Sequence, residues 1–182
     1  MNIVVFFSGT GTNLQSILQN EEKLNYKVIS TFTNNPDASG IDISKNFNVD
    51  CKILDHKKFD SREKFDEEIN VYLQKLNPDY VILAGYMRIL SNFLVEKWKQ
   101  KIINIHPSLL PKYPGLNTHE RALLAGDKLH GTTIHYVTSG LDAGPIIRQQ
   151  SIEIEPDDTI ESLTEKIKKL ENKIYPETIS NL

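Results

Sequence analysis

Short runs of β-branched and aromatic residues alternate with helical patterns through the first hundred residues, and this alternation limits the fold more than any other feature. We predict strands near residues 2–7, 27–33, 49–54, 79–84 and 102–105. The clearest helix is predicted from Ser61 to Leu76, where apolar side chains recur every three or four residues before Asn77-Pro78 ends the pattern. Strands separated by helices favour a mainly parallel sheet that is covered by helices.

The pattern changes after about residue 131. Two strands are predicted in succession, at 132–138 and 145–154, with a glycine-rich turn between them and a closing helix from about Thr159 to Leu182. We therefore expect one α/β domain over residues 1–182, with a Rossmann-like, mainly parallel twisted sheet and antiparallel strands toward the C-terminal part. Sheets of this kind bind ligands beyond the carboxyl ends of their strands.

The segment from Asn104 to Gly115, N-I-H-P-S-L-L-P-K-Y-P-G, carries the chemistry. Two polar side chains, Asn104 and His106, follow an apolar run and precede Pro107, which forces the strand into a loop. Residues two apart on a strand point to one face, so an amide donor and an imidazole could address the same substrate atom. This layout is typical of acyl transfer, although single Asn and His residues at strand ends also serve as simple turn formers.

An acidic residue lies downstream in the turn Gly140-Leu141-Asp142-Ala143-Gly144. A carboxylate beside an imidazole favours the charged ring and fixes its orientation. We therefore predict that Asp142 pairs with His106, and that Asn104, His106 and Asp142 form the catalytic group.

The segment Ser8 to Asn13, S-G-T-G-T-N, follows the first predicted strand and opens a helix near Leu14. Free backbone N–H groups and the helix dipole at such a point favour an anion, and phosphate is the obvious candidate. The segment lacks the third glycine of a dinucleotide fingerprint and the Lys-Ser/Thr pair of a nucleotide-hydrolase phosphate loop. A lone G-x-G is also compatible with an ordinary tight turn.

These three motifs, in this order and at this spacing, resemble those of the formyltransferases that use 10-formyltetrahydrofolate, over nearly the whole chain. The resemblance is strongest to members that act on glycinamide ribonucleotide. It implies direct transfer of the formyl group from 10-formyltetrahydrofolate, a co-substrate, to the amine of 5-phosphoribosylglycinamide in purine biosynthesis, with no metal. Asn104 would donate to the developing oxyanion, His106 would stabilise it and move protons, and Asp142 would hold His106.

The resemblance also implies two sets of ligand-binding residues. The phosphate and ribose set is Gly11, Thr12, Asn13, Leu14, Gln15, Lys168 and Glu171. The folate set is Arg62, Met87, Arg88, Ile89, Leu90, Asn104, Val137 and Leu141. From the residues alone, Lys168 fits a solvated face of a lysine-rich helix equally well, and Arg62 fits an exposed first helical turn.

The composition of the chain limits which kinds of partner it is expected to bind. The formal net charge is -3, from 21 basic and 24 acidic residues, and it offers no basic footprint for nucleic acid. The apolar N-terminus is too short for a signal or spanning segment, and the single cysteine, Cys51, favours the reducing cytoplasm. We expect two small-molecule substrates as partners, no nucleic acid or membrane, and a monomer or homodimer.

Other functions remain open on the sequence. The same catalytic block occurs in formyltetrahydrofolate hydrolase and methionyl-tRNA formyltransferase, which by resemblance carry extra domains for which 182 residues leave no room. A non-catalytic nucleotide-binding module is the alternative from another class, because fold alone does not fix function. Family members usually continue past the position of Leu182, so either the product is short or its end is missing.

Overall fold

The computed structural model describes residues 1–182 and contains one seven-stranded sheet. The strands are β1 (Asn2–Phe7), β2 (Lys27–Thr33), β3 (Cys51–Ile53), β4 (Tyr80–Leu83), β5 (Ile102–His106), β6 (Leu129–Tyr136) and β7 (Ile146–Glu153). The α-helices are α1 (Thr12–Asn20), α2 (Gly40–Asn46), α3 (Arg62–Leu76), α4 (Asn92–Lys97), α5 (Thr118–Leu124) and α6 (Ile160–Ile179). The predicted α/β class is confirmed.

The strand order is β3-β2-β1-β4-β5-β6-β7. The first five strands are parallel, and β6 and β7 are antiparallel to their neighbours, as predicted. The chain leaves β1 toward β2 on one side and later returns to β4 on the other side. The loops that follow β1 and β4 therefore diverge and leave a crevice at the carboxyl ends of the strands.

Two apolar layers cover the sheet. Ile3, Val5 and Phe7 of β1 join one core with α1 and α6, and Val4 and Phe6 join the other with α3 and α4. Burial on both faces explains why β1 is continuously apolar rather than alternating.

Tyr175 of α6 is fully buried, and its hydroxyl contacts the carbonyls of Leu83 at 3.0 Å and Ile103 at 3.2 Å. These contacts fix α6 across β4 and β5.

Most differences from the sequence predictions lie at the element ends. Strand β3 covers three residues rather than 49–54, because only Thr31 to Thr33 of β2 pair with it. Strand β6 begins at Leu129 because Gly131 lets β7 approach closely: a Cβ there would lie 2.1 Å from the Gln150 carbonyl. Ser61, where the sequence predicts that this helix begins, is the N-cap of α3 and accepts a hydrogen bond from the Lys64 N–H. No helix combines the length and apolar character needed to cross a membrane.

Candidate active site

A cavity of about 1050 Å³ lies at the carboxyl ends of β1, β4 and β5. Its lining segments are the loop after β1 (8–13), the loop after β4 (84–90), residues 104–107 and 115–120, the turn after β6 (137–142), and one side of α6 with Lys168 and Glu171. The volume is at the upper end of the ~300–1,000 Å³ found for small-molecule pockets. Two ligands of moderate size could therefore meet in it.

The structure brings His106 and Asp142 together, with 3.4 Å between His106 Nδ1 and Asp142 Oδ2. Both side chains are nearly buried, at 7% and 10% exposure. His106 Nε2 lies 2.9 Å from the Tyr113 carbonyl, which can only accept, so Nε2 carries a hydrogen. The ring therefore lies between two acceptors, the Tyr113 carbonyl at Nε2 and the Asp142 carboxylate at Nδ1.

The backbone of the β6–β7 turn places this carboxylate. Asp142 has a left-handed conformation with φ of 49°, and its Oδ2 accepts the Gly115 N–H at 2.8 Å. Gly144 closes the turn, because a Cβ at this position would lie 1.7 Å from the Tyr136 carbonyl. The glycine is therefore required for the turn that presents Asp142.

Asn104 contacts a residue outside the predicted catalytic group, His135 of β6, which pairs directly opposite it. His135 Nδ1 lies 2.9 Å from the Tyr136 carbonyl and must donate to it. In the neutral ring Nε2 is then an acceptor, and Asn104 Nδ2 donates to it at 3.3 Å. Burial lowers the pKa of His135, although nearby Asp142 opposes this, so the neutral ring is favoured. His135 thereby orients the Asn104 amide, with Nδ2 rather than Oδ1 facing the imidazole.

His135 lies inside the strand predicted at residues 132–138, and the sequence gives no further signal for a role at the site. Only the antiparallel register of β5 and β6 places it opposite Asn104.

The glycine loop has the geometry of an anion site. Gly11 precedes α1 with φ of 76°, and no side chain caps the helix, so its first N–H groups are free. A Cβ on Gly11 would lie 2.9 Å from Gly40 Cα, so the position requires glycine. Gly11, Thr12 and Asn13 all line the cavity.

Two residues of the predicted phosphate set lie elsewhere. Leu14 is fully buried in the core beneath α1, because the apolar face of the helix begins there. Gln15 is exposed outside the cavity, and its N–H already donates to the Gly11 carbonyl at 2.8 Å. Neither side chain is available to a ligand in the cavity.

Glu171 of α6 lies on the cavity wall opposite the glycine loop and contacts Asn13 of that loop. Its Oε2 accepts from Asn13 Nδ2 at 3.1 Å, and its Oε1 lies 3.2 Å from Thr132 Oγ1. Burial raises the pKa of Glu171 despite these hydrogen bonds and the nearby charge of Lys168. Lys168 also lines the cavity, and its Nζ contacts Glu165 at 3.1 Å.

The predicted folate residues mostly surround the opposite end. Met87, Ile89 and Leu141 line the cavity with large exposed side chains, at 73%, 60% and 58% exposure. Leu90, Val137 and Arg88 also line it.

Arg88 itself is held by neighbours on α3: its guanidinium lies 5.3 Å from the centre of the Phe65 ring. Arg62 does not line the cavity. It lies exposed in the first turn of α3, where the N-cap geometry directs it to solvent.

Buried polar atoms without a partner concentrate at this cavity. Four such side-chain atoms exist, and three belong to lining residues: Asn13 Oδ1, Tyr86 OH and Arg88 Nε. Unpaired buried polar atoms cost free energy, so a bound ligand or solvent that supplies partners stabilises this region.

The family model described as formyl transferase matches residues 1–179. The chain belongs to this family.

Named relatives of this formyl transferase match nearly the whole of its chain. It is 43% identical to the phosphoribosylglycinamide formyltransferase of Escherichia coli, over 99% of this chain and 86% of that protein. It is 39% identical to the trifunctional purine biosynthetic protein adenosine-3 of Drosophila melanogaster, over 99% of this chain but 14% of that protein. The solved phosphoribosylglycinamide formyltransferase of Coxiella burnetii superposes with a TM-score of 0.96 at 44% identity, covering 99% of this chain and 85% of that one.

This formyl transferase contains no group of three or more His, Cys, Asp or Glu side chains that could hold a metal ion. Half-buried His119 and buried His130 contact each other. His119 Nδ1 and His130 Nε2 are 3.0 Å apart.

Proposed function

We propose that this formyltransferase transfers the formyl group of 10-formyltetrahydrofolate to the amine of 5-phosphoribosylglycinamide. The products are formylglycinamide ribonucleotide and tetrahydrofolate, in de novo purine biosynthesis. The observation that carries the proposal is that a free helix N-terminus and the Asn104, His106 and Asp142 side chains line one cavity. The names of the E. coli and C. burnetii relatives support it.

The ribonucleotide phosphate binds the free N–H groups of Gly11, Thr12 and Asn13, where the helix dipole and backbone donors favour an anion. Lys168 adds positive charge at this end. Glu171 and the unpaired Oδ1 of Asn13 provide acceptors for ribose hydroxyl groups. This set of phosphate- and ribose-binding residues is smaller than the one predicted from the sequence, because the Leu14 and Gln15 side chains face away from the cavity.

The folate binds against the loop from Met87 to Leu90, with Val137 and Leu141 on the other side. These side chains give the flat apolar walls that a pterin ring requires, and their exposure in the free protein leaves apolar surface to cover. Arg88 is the nearest cation for the anionic tail, and Arg62 remains available only at the cavity exterior.

In the reaction, the substrate amine attacks the formyl carbon and a C–N bond forms. Negative charge develops on the formyl oxygen, and Asn104 donates to it with the Nδ2 hydrogen that His135 does not use. Such a donor is typically worth roughly a hundred to a thousand-fold in rate. The bond from carbon to folate N10 then breaks, and one amine proton moves to N10 by way of the His106 and Asp142 pair.

The free protein holds His106 in a resting arrangement for this step. Its Nε2–H donates to the Tyr113 carbonyl rather than pointing freely into the cavity. Donation from Nε2 to the formyl oxygen therefore requires the substrate to replace that carbonyl. On the other side of the ring, Nδ1 faces the Asp142 carboxylate.

Conversion of 10-formyltetrahydrofolate to tetrahydrofolate, followed spectroscopically with purified protein, tests the proposal. Acceptors are 5-phosphoribosylglycinamide, methionyl-tRNA or water, and we expect conversion with the ribonucleotide only. Conversion without an acceptor would identify a hydrolase, and no conversion would favour a binding module. We further propose that the protein acts in the cytoplasm as a monomer or homodimer with these two small molecules as its partners.

A further inference from the structure

Ser8 joins the two loops that we assign to the two substrates. Its Oγ accepts the Met87 N–H at 2.8 Å and donates to Asn34 Oδ1 at 2.6 Å. Its main-chain N–H donates to the Gly85 carbonyl at 3.1 Å. Ser8 thus directly precedes the glycine loop and also holds two points of the loop after β4.

Chemistry fixes the direction of these bonds. A main-chain N–H can only donate, so the Ser8 hydroxyl accepts from Met87 and its single proton goes to Asn34. Buried Asn34 is held in turn by His56, whose Nδ1 lies 2.9 Å from the Asn34 carbonyl and 3.2 Å from its Nδ2. Ser8 therefore has no proton left to donate to a ligand.

The loop after β4 is held at its other end by a different element. The Ser91 N–H donates to Asp66 Oδ2 at 2.5 Å, and Asp66 is buried on α3. Met87 to Ser91 is therefore restrained at both ends. Only the Ser8 end connects this restraint to the glycine loop.

We propose that Ser8 is a positioning residue that couples binding of a ribose phosphate at the glycine loop to binding of a folate at the loop after β4. The inference rests on the proposed function for the identity of the two ligands. A phosphate on Gly11 to Asn13 restrains the end of β1, and the Oγ bond passes this restraint to Met87. Each ligand then binds more tightly when the other is present, since part of the ordering has already occurred.

Calorimetric titration of tetrahydrofolate with and without saturating ribose 5-phosphate tests this, because the two probes cannot react. For the wild type we expect folate affinity to rise about fivefold or more with the phosphate probe, as in typical coupled sites. Ser8→Ala should reduce this factor to below about twofold, and Ser8→Thr, which keeps the hydroxyl, should restore it.

Ser30→Ala is the matched control. Ser30 is also buried, on β2 and outside the cavity, and its Oγ contacts the Asp50 carbonyl at 2.8 Å and the Tyr72 hydroxyl at 2.5 Å. The Ser30→Ala variant loses hydrogen bonds comparable to those that Ser8→Ala loses. Its thermal stability should therefore fall while the coupling factor stays at the wild-type value. If Ser8→Ala does not fold, Asn34→Ala removes the acceptor of the same hydroxyl and should weaken the coupling.

Three outcomes overturn the inference. The first is that the wild type shows no coupling. The second is that coupling survives in Ser8→Ala or, where that variant does not fold, in Asn34→Ala. The third is that Ser30→Ala loses the coupling equally, and each of the three leaves the proposed function intact. Wild-type protein that binds neither probe would overturn the proposed function as well.

Discussion

At the scale of single residues, the site depends on which hydrogen-bond partners each side chain already has. His135 donates to a carbonyl and so must accept from Asn104, while His106 donates to another carbonyl and faces a carboxylate. Two histidines in one site thus differ in the hydrogen-bonding roles of their ring nitrogens. The difference comes from their partners rather than from residue type.

Asp142→Asn should lower kcat by about a hundred to ten-thousand-fold while the KM for each substrate changes little. The amide keeps the size of the side chain but removes the negative charge that faces His106 Nδ1. Steady-state kinetics with both substrates measures the split between kcat and KM. An unchanged kcat would remove Asp142 from the mechanism.

His135→Leu should lower kcat roughly ten- to a hundred-fold with little change in KM. This loss in kcat is smaller than the loss expected when an oxyanion donor is removed completely. The leucine removes the acceptor that orients the Asn104 amide, so Asn104 can rotate away. His135→Gln retains an acceptor oxygen and should recover part of the rate. Equal losses in both variants would contradict an orienting role and indicate a packing effect instead.

At the scale of elements, the loop that opens α1 is set by glycine geometry rather than by side-chain contacts. Gly11→Ala places a Cβ 2.9 Å from Gly40 Cα in a conformation with φ of 76°. We expect the KM for the ribonucleotide to rise at least about tenfold, a loss of about 1.4 kcal/mol of binding.

Gly9→Ala is the comparison for that loop, because a Cβ at Gly9 meets no atom within 4 Å. Its effect on the KM for the ribonucleotide should be clearly smaller. Similar rises in both variants would mean that glycine flexibility, not the positive φ of Gly11, is what the loop requires.

The contact between α5 and β6 should make stability depend on pH. Burial, with the neighbouring His119, lowers the pKa of His130 from 6.5 to about 4. Between these values the unfolded chain binds a proton that the folded protein does not, so stability falls as pH falls through this window.

His130→Asn removes that titration. Urea unfolding at about pH 7 and about pH 5 should therefore show a smaller loss of unfolding free energy in the variant than in the wild type. Equal losses would show that His130 titrates normally in the folded state.

At the scale of the whole molecule, the cavity unites segments from both ends of the chain. The glycine loop, the loop after β4, β5, the β6–β7 turn and α6 all contribute to it, and each is held by the central strands. Ligands that bind only the folded protein should stabilise it as a unit.

Either substrate at about 100 times its Kd should raise the unfolding free energy by about 2.7 kcal/mol. For a chain of this size that corresponds to a Tm increase of roughly 5–10 °C. Scanning calorimetry with ribose 5-phosphate and with tetrahydrofolate measures it. Gly11→Ala should lose the increase with the phosphate ligand and retain the one with folate; loss of both would indicate a general folding defect.

Local features of the fold and the site follow from the sequence alone. The two-residue period of a strand put Asn104 and His106 on one face, the apolar spacing of α3 located that helix, and the alternation of strands and helices gave the sheet class. These properties depend on neighbours within a few residues, which the sequence displays directly.

Tertiary structure alone decided which distant residues meet. The register of β5 with β6 brought His135 to Asn104, and the folded β6–β7 turn brought Asp142 to within 3.4 Å of His106. Packing of α1 turned Leu14 into the core and Gln15 outward, against the sequence prediction. The physical reason is that a strand slip of one residue or a different packed helix face would exchange these neighbours while leaving every local pattern unchanged.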